Sequence, residues 1–315
     1  MMKVEKFEGL VAAPFTPMDN QGRIIIEMIP DFYDLLSDNG VTGAFINGTT
    51  GEGPSLTQKE RKDQAEKWAE CYNSGGKVRV INLVGGTSYN ECIDNAIHSF
   101  EVGLSAIAIV GPYFFRPADE DELADFCTRI GNSVPGMPVY YYHIPSITGI
   151  NISMYAFIQK ITGLLPNFAG IKFTHEDLFD FQLCLNFKER AYDLLWGNDY
   201  SLLAALALGC NGGIGSTYNY AAPLYLKMIR EFKSGNVREA AKLQELSVRM
   251  IRLLGKYGGV GTGKAFMRYI GFGCGKYRSP VKNMPEEMYG EFKRDVSMLN
   301  MDHLFSLKRE KTPHL

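Results

Sequence analysis

The 315 residues carry 33 Lys and Arg against 35 Asp and Glu, a formal net charge of −2, and 45% of them are hydrophobic. That balance excludes an intrinsically disordered chain, and without a basic excess it also excludes a nucleic-acid binder, which needs positive charge to displace counterions from phosphate. The longest apolar runs, such as 104–110 and 202–208, stop far short of the ~20 residues of a membrane-crossing helix. Along the chain, short apolar runs of strand length alternate with segments of helical period from residue 9 to about 230. Strands are expected at 10–13, 42–46, 78–84, 106–110, 139–142, 169–172, 193–195 and 213–215. Thr57 followed by Glu60 forms a capping box, and Asp119, Ser153 and Asp199 stand where they would cap later helices. Eight strand-then-helix units, each strand apolar enough to be buried on both faces and each followed by one helix, predict an α/β fold of the (β/α)8 TIM barrel type. A doubly wound open sheet would instead place a glycine-rich turn after the first strand, where this chain has Pro14-Phe15-Thr16-Pro17. From about Glu231 the strand signals stop, and 236–254, 264–270 and 285–299 read as helices. The expected organisation is a barrel over residues 1–230 that carries the active site and a C-terminal helical domain over 231–315. No flexible linker separates them, so the helices should pack on the barrel or on a neighbouring subunit.

Cysteines 71, 92, 127, 184, 210 and 274 show no CxxC spacing, and the five histidines form no HxH or HExxH. They suit reduced core thiols and give no metal site. Glu5 and Glu8 precede the first apolar stretch, unlike a signal peptide, which points to a cytoplasmic protein.

A barrel enzyme builds its site at the C-terminal ends of its strands. Five polar stations fall there: Gly48-Thr49-Thr50-Gly51-Glu52, Tyr142-His143, Lys172, Gly197-Asn198-Asp199 and Gly215-Ser216-Thr217. Lys172 ends an apolar run that aims it at the barrel mouth, where desolvation would free its amine to act as a nucleophile. The ordinary alternative is a surface lysine, or a partner for Asp199 or Glu52. Tyr142 could pass a proton to or from a substrate, or could simply fill the core like Tyr140 and Tyr141. The segment GTTGEG at 48–53 offers backbone N–H groups and two hydroxyls to a carboxylate, although a turn needing glycine would look the same. The glycines of 209–215 could cradle a phosphate or allow close approach of a ligand. The run 258–264, ending in Lys264, has the spacing of a phosphate loop, but Ala265 replaces its Ser/Thr and no strand precedes it, so a nucleotide site is rejected.

Taken together, GTTGE at 48–52, YYHIPSITG at 141–149, GIKFT at 170–174 and GGIGSTYN at 212–219 resemble the N-acetylneuraminate lyase branch of the dihydrodipicolinate synthase-like pyruvate aldolases. The resemblance runs from about Leu10 through the helical tail. It implies a barrel with a C-terminal helical domain, assembled as a homotetramer. It also implies that Lys172 forms a Schiff base with pyruvate or open-chain sialic acid, and that the products are N-acetylmannosamine and pyruvate. Tyr142 matches the catalytic tyrosine, Thr49 and Thr50 the pair that binds the pyruvate carboxylate, and Thr49 is also placed to orient Tyr142. Thr174, Gly197, Asp199 and Ser216 match positions that contact the sugar. Tyr200 stands where typical members are acidic, so the sugar tail meets a phenol there. No metal or organic cofactor is required. Tyr113-Phe114 matches an aromatic pair after the fourth strand, and Phe114 lacks the hydroxyl of a bacterial proton relay, which leaves substrate or water to carry the proton. The synthase branch normally has an arginine where this chain has Ile147, so a second carboxylate-bearing substrate finds no bidentate partner. Aldolases or dehydratases of other sugar acids are the nearer alternative, and a silent sugar-binding barrel the more distant one.

Overall fold

The computed structural model describes residues 5–307, so the outermost parts of the two expected units, 1–4 and 308–315, lie outside the described residues. Eight parallel strands form a closed barrel in chain order: β1 Gly9–Ala12, β2 Gly43–Ile46, β3 Arg79–Leu83, β4 Ala106–Val110, β5 Val139–His143, β6 Phe168–Phe173, β7 Asp193–Trp196 and β8 Gly212–Gly215. Register contacts from Gly9–Gly212 to Ala12–Gly215 close β1 on β8. The helices are α1 Ile29–Asp38, α2 Gln58–Asn73, α3 Tyr89–Glu101, α4 Glu120–Gly131, α5 Pro145–Thr148, α6 Met154–Leu164, α7 Leu178–Asn186, α8 Leu202–Ala207, α9 Tyr218–Lys233, α10 Val237–Lys256, α11 Thr262–Tyr269 and α12 Tyr289–Ser297. This is the TIM barrel with a helical extension that the alternation predicts.

Two apolar layers result, because strand side chains point alternately in and out. Phe45, Ile81, Ala108, Tyr140, Tyr142, Ala169 and Leu195 fill the barrel, while Val139, Tyr141, Ile171 and Phe173 join the layer under the helices. At the N-terminal end, Asp193 accepts hydrogen bonds from the Phe7 N–H at 2.9 Å and the Tyr140 hydroxyl at 3.0 Å. The Arg79 guanidinium lies 3.8 Å from the Phe7 ring centroid. These contacts plug the floor of the barrel.

Local chemistry sets the helix starts. Thr57 and Glu60 make the expected capping box, while Asp119 accepts from the Glu122 N–H at 2.9 Å and Ser153 from the Ala156 N–H at 3.3 Å. Asp199 does not cap a helix. Its carboxylate turns back to accept from the Thr217 N–H at 2.9 Å and the Thr217 hydroxyl at 2.5 Å, which ties the end of β7 to the end of β8. Nor is each strand followed by one helix: β5 leads first into α5, begun at Pro145 and stopped by Gly149 in the left-handed region, and only then into α6.

The tail helices lie against the barrel's own. α9 runs through residue 230 and packs along α10, from which Gln244 accepts from the Leu203 N–H at 2.9 Å and donates to the Asp199 carbonyl at 3.1 Å. Phe266 stacks on Tyr220 at 4.7 Å, and Phe272 packs on Phe32 at 4.8 Å. All six cysteines are free; five are buried and Cys71 is half-buried. Among the described residues no helix is long and apolar enough to cross a membrane.

Candidate active site

Strict alternation along β6 from the inward Ala169 would send Ile171 inside and Lys172 out. An irregularity in the β5–β6 register, where Val139 faces Phe168 but Tyr140 faces Gly170, reverses that phase and brings Lys172 into the barrel opposite Tyr142. Gly170 admits the close approach: a Cβ there would lie 1.9 Å from the Asp193 carbonyl oxygen. Lys172 is 4% exposed, and its amine sits 3.9 Å from the centroids of both the Phe45 and Tyr142 rings. Burial among aromatic rings pulls the amine down from 10.5 to about 7, against the opposing pull of Asp199. The alternative of a Lys172–Glu52 pair does not hold, because Glu52 is paired with Lys264.

Tyr142 tops the inner layer, with its hydroxyl 3.4 Å from Thr49 Oγ1. Burial pushes the phenol up to about 12, so it is protonated at neutral pH, and the Thr49 and Thr174 hydroxyls pull the other way. Thr49 is exposed at the mouth and Thr50 is buried beneath it. Their turn rises from a buried amide network: Asn47 donates to Asn82 Oδ1 at 2.8 Å and accepts from Gln64 at 3.1 Å. The N–H groups of Glu52 and Gly53 are used inside the turn, on the carbonyls of Thr49 and Gly48 at 3.1 Å each. The hydroxyls of Thr49 and Thr50 are thus the side-chain donors this turn can present.

Thr174 and Gly197 meet at the ends of β6 and β7. A Cβ on Gly197 would lie 1.8 Å from Thr174 Oγ1, so the glycine makes room for that hydroxyl. The glycines of β8 serve packing in the same way: Cβ atoms at Gly212 and Gly215 would lie 2.8 Å from the Gly9 carbonyl oxygen and 2.4 Å from Asp199 Oδ1. That closeness accounts for the run without a phosphate. Asp199 is buried, and burial raises its carboxyl above the usual range while Thr217 pulls it down. Ser216 is half-buried at the end of β8.

The fold therefore gathers Lys172, Tyr142, Thr49 and Thr174 around one opening, with Thr50, Gly197, Asp199 and Ser216 in the segments that rim it. Tyr200 lies farther out, and its hydroxyl donates to Glu176 Oε1 at 2.8 Å. Sequence reading missed Glu176, which sets a carboxylate beside the Tyr200 hydroxyl. It also missed Phe45, whose only signal was its place in an apolar strand. Tyr113, Phe114, Phe115 and Ile147 are exposed on the segments after β4 and β5.

The model of the dihydrodipicolinate synthetase family matches residues 6–299. An N-acetylneuraminate lyase from Gallus gallus is 41% identical over 299 residues, which span 94% of this chain and 97% of that one. The solved N-acetylneuraminate lyase of Proteus mirabilis superposes with a TM-score of 0.90 at 36% identity, covering 94% of this chain and 99% of that one. A dihydrodipicolinate synthase from Cyanidioschyzon merolae superposes at 0.87 with 25% identity, covering 94% and 100%. Backbone shape is thus nearly common to both branches, and sequence identity favours the lyases.

Proposed function

The chain belongs to the dihydrodipicolinate synthetase family, and on that premise we propose that it is a carbon–carbon lyase that reversibly cleaves N-acetylneuraminate to N-acetylmannosamine and pyruvate through a Schiff base. The observation that carries this reading is Lys172, a buried amine shifted toward its neutral form and set between two aromatic rings beneath the barrel mouth. The neutral amine adds to the C2 ketone of the open-chain sugar acid, and loss of water leaves a protonated imine. Tyr142, a phenol at neutral pH, gives its proton to the hydroxide that leaves as the imine forms, and the phenolate then takes the proton of the 4-hydroxyl through Thr49 or the substrate's own oxygens. The C3–C4 electron pair then flows into the imine, and N-acetylmannosamine leaves as the aldehyde. The enamine picks up a proton at C3, and water releases pyruvate from Lys172. The imine is itself the electron sink, so this cycle is complete without a metal or organic cofactor.

Thr49 and Thr50 bind the carboxylate next to the ketone, while Thr174, Gly197, Asp199, Tyr200 and Ser216 receive the polyhydroxyl chain. The Glu176–Tyr200 pair supports a sugar with hydroxyls at the far end of that chain, since a carboxylate accepts where a lone phenol offers a single bond. We assign the active site to the barrel, residues 1–230, with the helices of 231–315 as its support, and place the protein in the cytoplasm as a homotetramer. Exposed Phe114 and Phe115 are suited to a subunit contact.

Borohydride trapping with pyruvate, peptide mass mapping and a cleavage assay on N-acetylneuraminate test the reading together. A pyruvyl adduct on Lys172 and release of N-acetylmannosamine are expected, and Tyr142→Phe should keep the adduct while losing on the order of 10²-fold or more in turnover. An adduct without sialic-acid cleavage would redirect the assignment to another sugar acid. No adduct would remove the mechanism.

A further inference from the structure

The run 258–264 that mimics a phosphate loop ends in Lys264, and the fold gives this lysine a different task. α11 carries it into the interior, where its ammonium donates to Glu52 Oε1 at 3.1 Å and to the Lys276 carbonyl at 2.8 Å. Both side chains of the pair are only 2% exposed. Glu52 Oε2 accepts from the Arg278 N–H at 2.8 Å, and the Tyr277 hydroxyl donates to the Thr50 carbonyl at 3.0 Å. On its other side the turn is held by Thr16, whose hydroxyl donates to the Gly51 carbonyl at 2.6 Å.

Three of these four attachments come from the C-terminal segment 264–278, and all land on residues 50–52. Glu52 needs them, because its φ of +59° lies in the left-handed region that non-glycine residues rarely adopt. A buried ion pair is a poor device for stability alone, since apolar residues of similar volume often serve as well. What it does provide is a fixed position for a backbone that would otherwise relax.

We infer that the Lys264–Glu52 pair, with the Tyr277–Thr50 hydrogen bond, is a positioning device through which the C-terminal helices hold the Thr49–Thr50 turn in the shape that receives the substrate carboxylate. The inference rests on the assignment of that turn to the carboxylate. Lys264 and Tyr277 act through Thr49 and Thr50, so their removal weakens capture of a ketone that carries a carboxylate and spares one that does not.

The test compares borohydride trapping at Lys172 of the full chain with pyruvate and with hydroxyacetone, a ketone without a carboxylate. In Lys264→Met the half-saturating pyruvate concentration should rise on the order of tenfold, while trapping of hydroxyacetone changes little. Tyr277→Phe removes one hydroxyl and strands no charge; it should show the same selectivity with a rise of about threefold, and it decides the matter alone if Lys264→Met does not fold. Equal losses for both ketones, or an unchanged response to pyruvate in the folded variants, overturn the inference. An unaltered protein with no preference for pyruvate over hydroxyacetone would instead overturn the carboxylate assignment, and this inference with it.

Discussion

On the proposed mechanism, Lys172 makes both catalysis and stability depend on pH. With the amine near 7, about half of the protein holds a free base at neutrality, so adduct formation at limiting pyruvate should rise through about pH 7 and then level off. Initial trapping rates from pH 5 to 10 check this; a rise that begins only above pH 9 would mean an ordinary lysine. The linkage has a definite sign. Below about pH 7 both folded and unfolded chains hold the proton, and the folded one bears the full cost of a buried charge. Between about 7 and 10.5 the unfolded chain keeps a proton the folded chain has shed, so this site's contribution to stability rises with pH over that window. Lys172→Met should therefore lose the adduct yet resist urea better at pH 6, by up to about 5 kcal/mol, and that gain should shrink as the pH approaches 10. Sequence alone marks Lys172 by its place at the end of an apolar run. It does not show that the lysine faces inward, because that depends on a register irregularity between β5 and β6 rather than on alternation. Glu52 was legible as part of a turn, but its partner lies 212 positions along the chain, and no local pattern connects them.

The barrel's strands and three of its helix starts, at Thr57, Asp119 and Ser153, could be read from the residues that form them. Each strand was bracketed to within about two residues, because a buried parallel strand is a continuous apolar run and its flanks are polar or glycine. Thr57 and Glu60 announce α2 by chemistry local to four residues, and Thr57→Ala should cost about 1 kcal/mol in urea denaturation while leaving pyruvate trapping at Lys172 unaltered. An unchanged urea midpoint would mean that packing of α2, rather than its cap, sets the helix start. Asp199 misleads for the opposite reason. In sequence it looks like a cap, but the fold brings Thr217 within 2.5 Å, and a buried carboxylate takes a paired donor over the end of a short helical turn. The glycines of β8 mislead in a similar way, since a residue kept small for a neighbouring strand cannot be told from one kept small for a ligand until the neighbour is known.

For the whole molecule, the exposed aromatics concentrate at one end. Phe114 and Phe115 are 76% and 85% exposed and pack edge to face, and Ile147 is 56% exposed on the next segment. Burial of such a patch against a second copy would fit a symmetric assembly near the barrel mouths. Sedimentation should give four chain masses, and Phe115→Glu should shift the distribution toward smaller species; a monomer at micromolar concentration would remove the tetramer. The sequence gives no direct reading of this, because an exposed aromatic is only seen to be exposed once the chain is folded around it.

On the proposed reading, the hold of residues 264–278 on the carboxylate turn also imposes an order on synthesis. Residues 50–52 are reached by partners 212 to 227 positions downstream, so the turn cannot take its final set until residue 278 has emerged from the ribosome. Lys172 is made more than a hundred residues earlier. On that reading a nascent chain possesses Lys172 well before its carboxylate turn is fully held, and a fragment ending at residue 250 would keep Thr16 as the one of the turn's four attachments that remains.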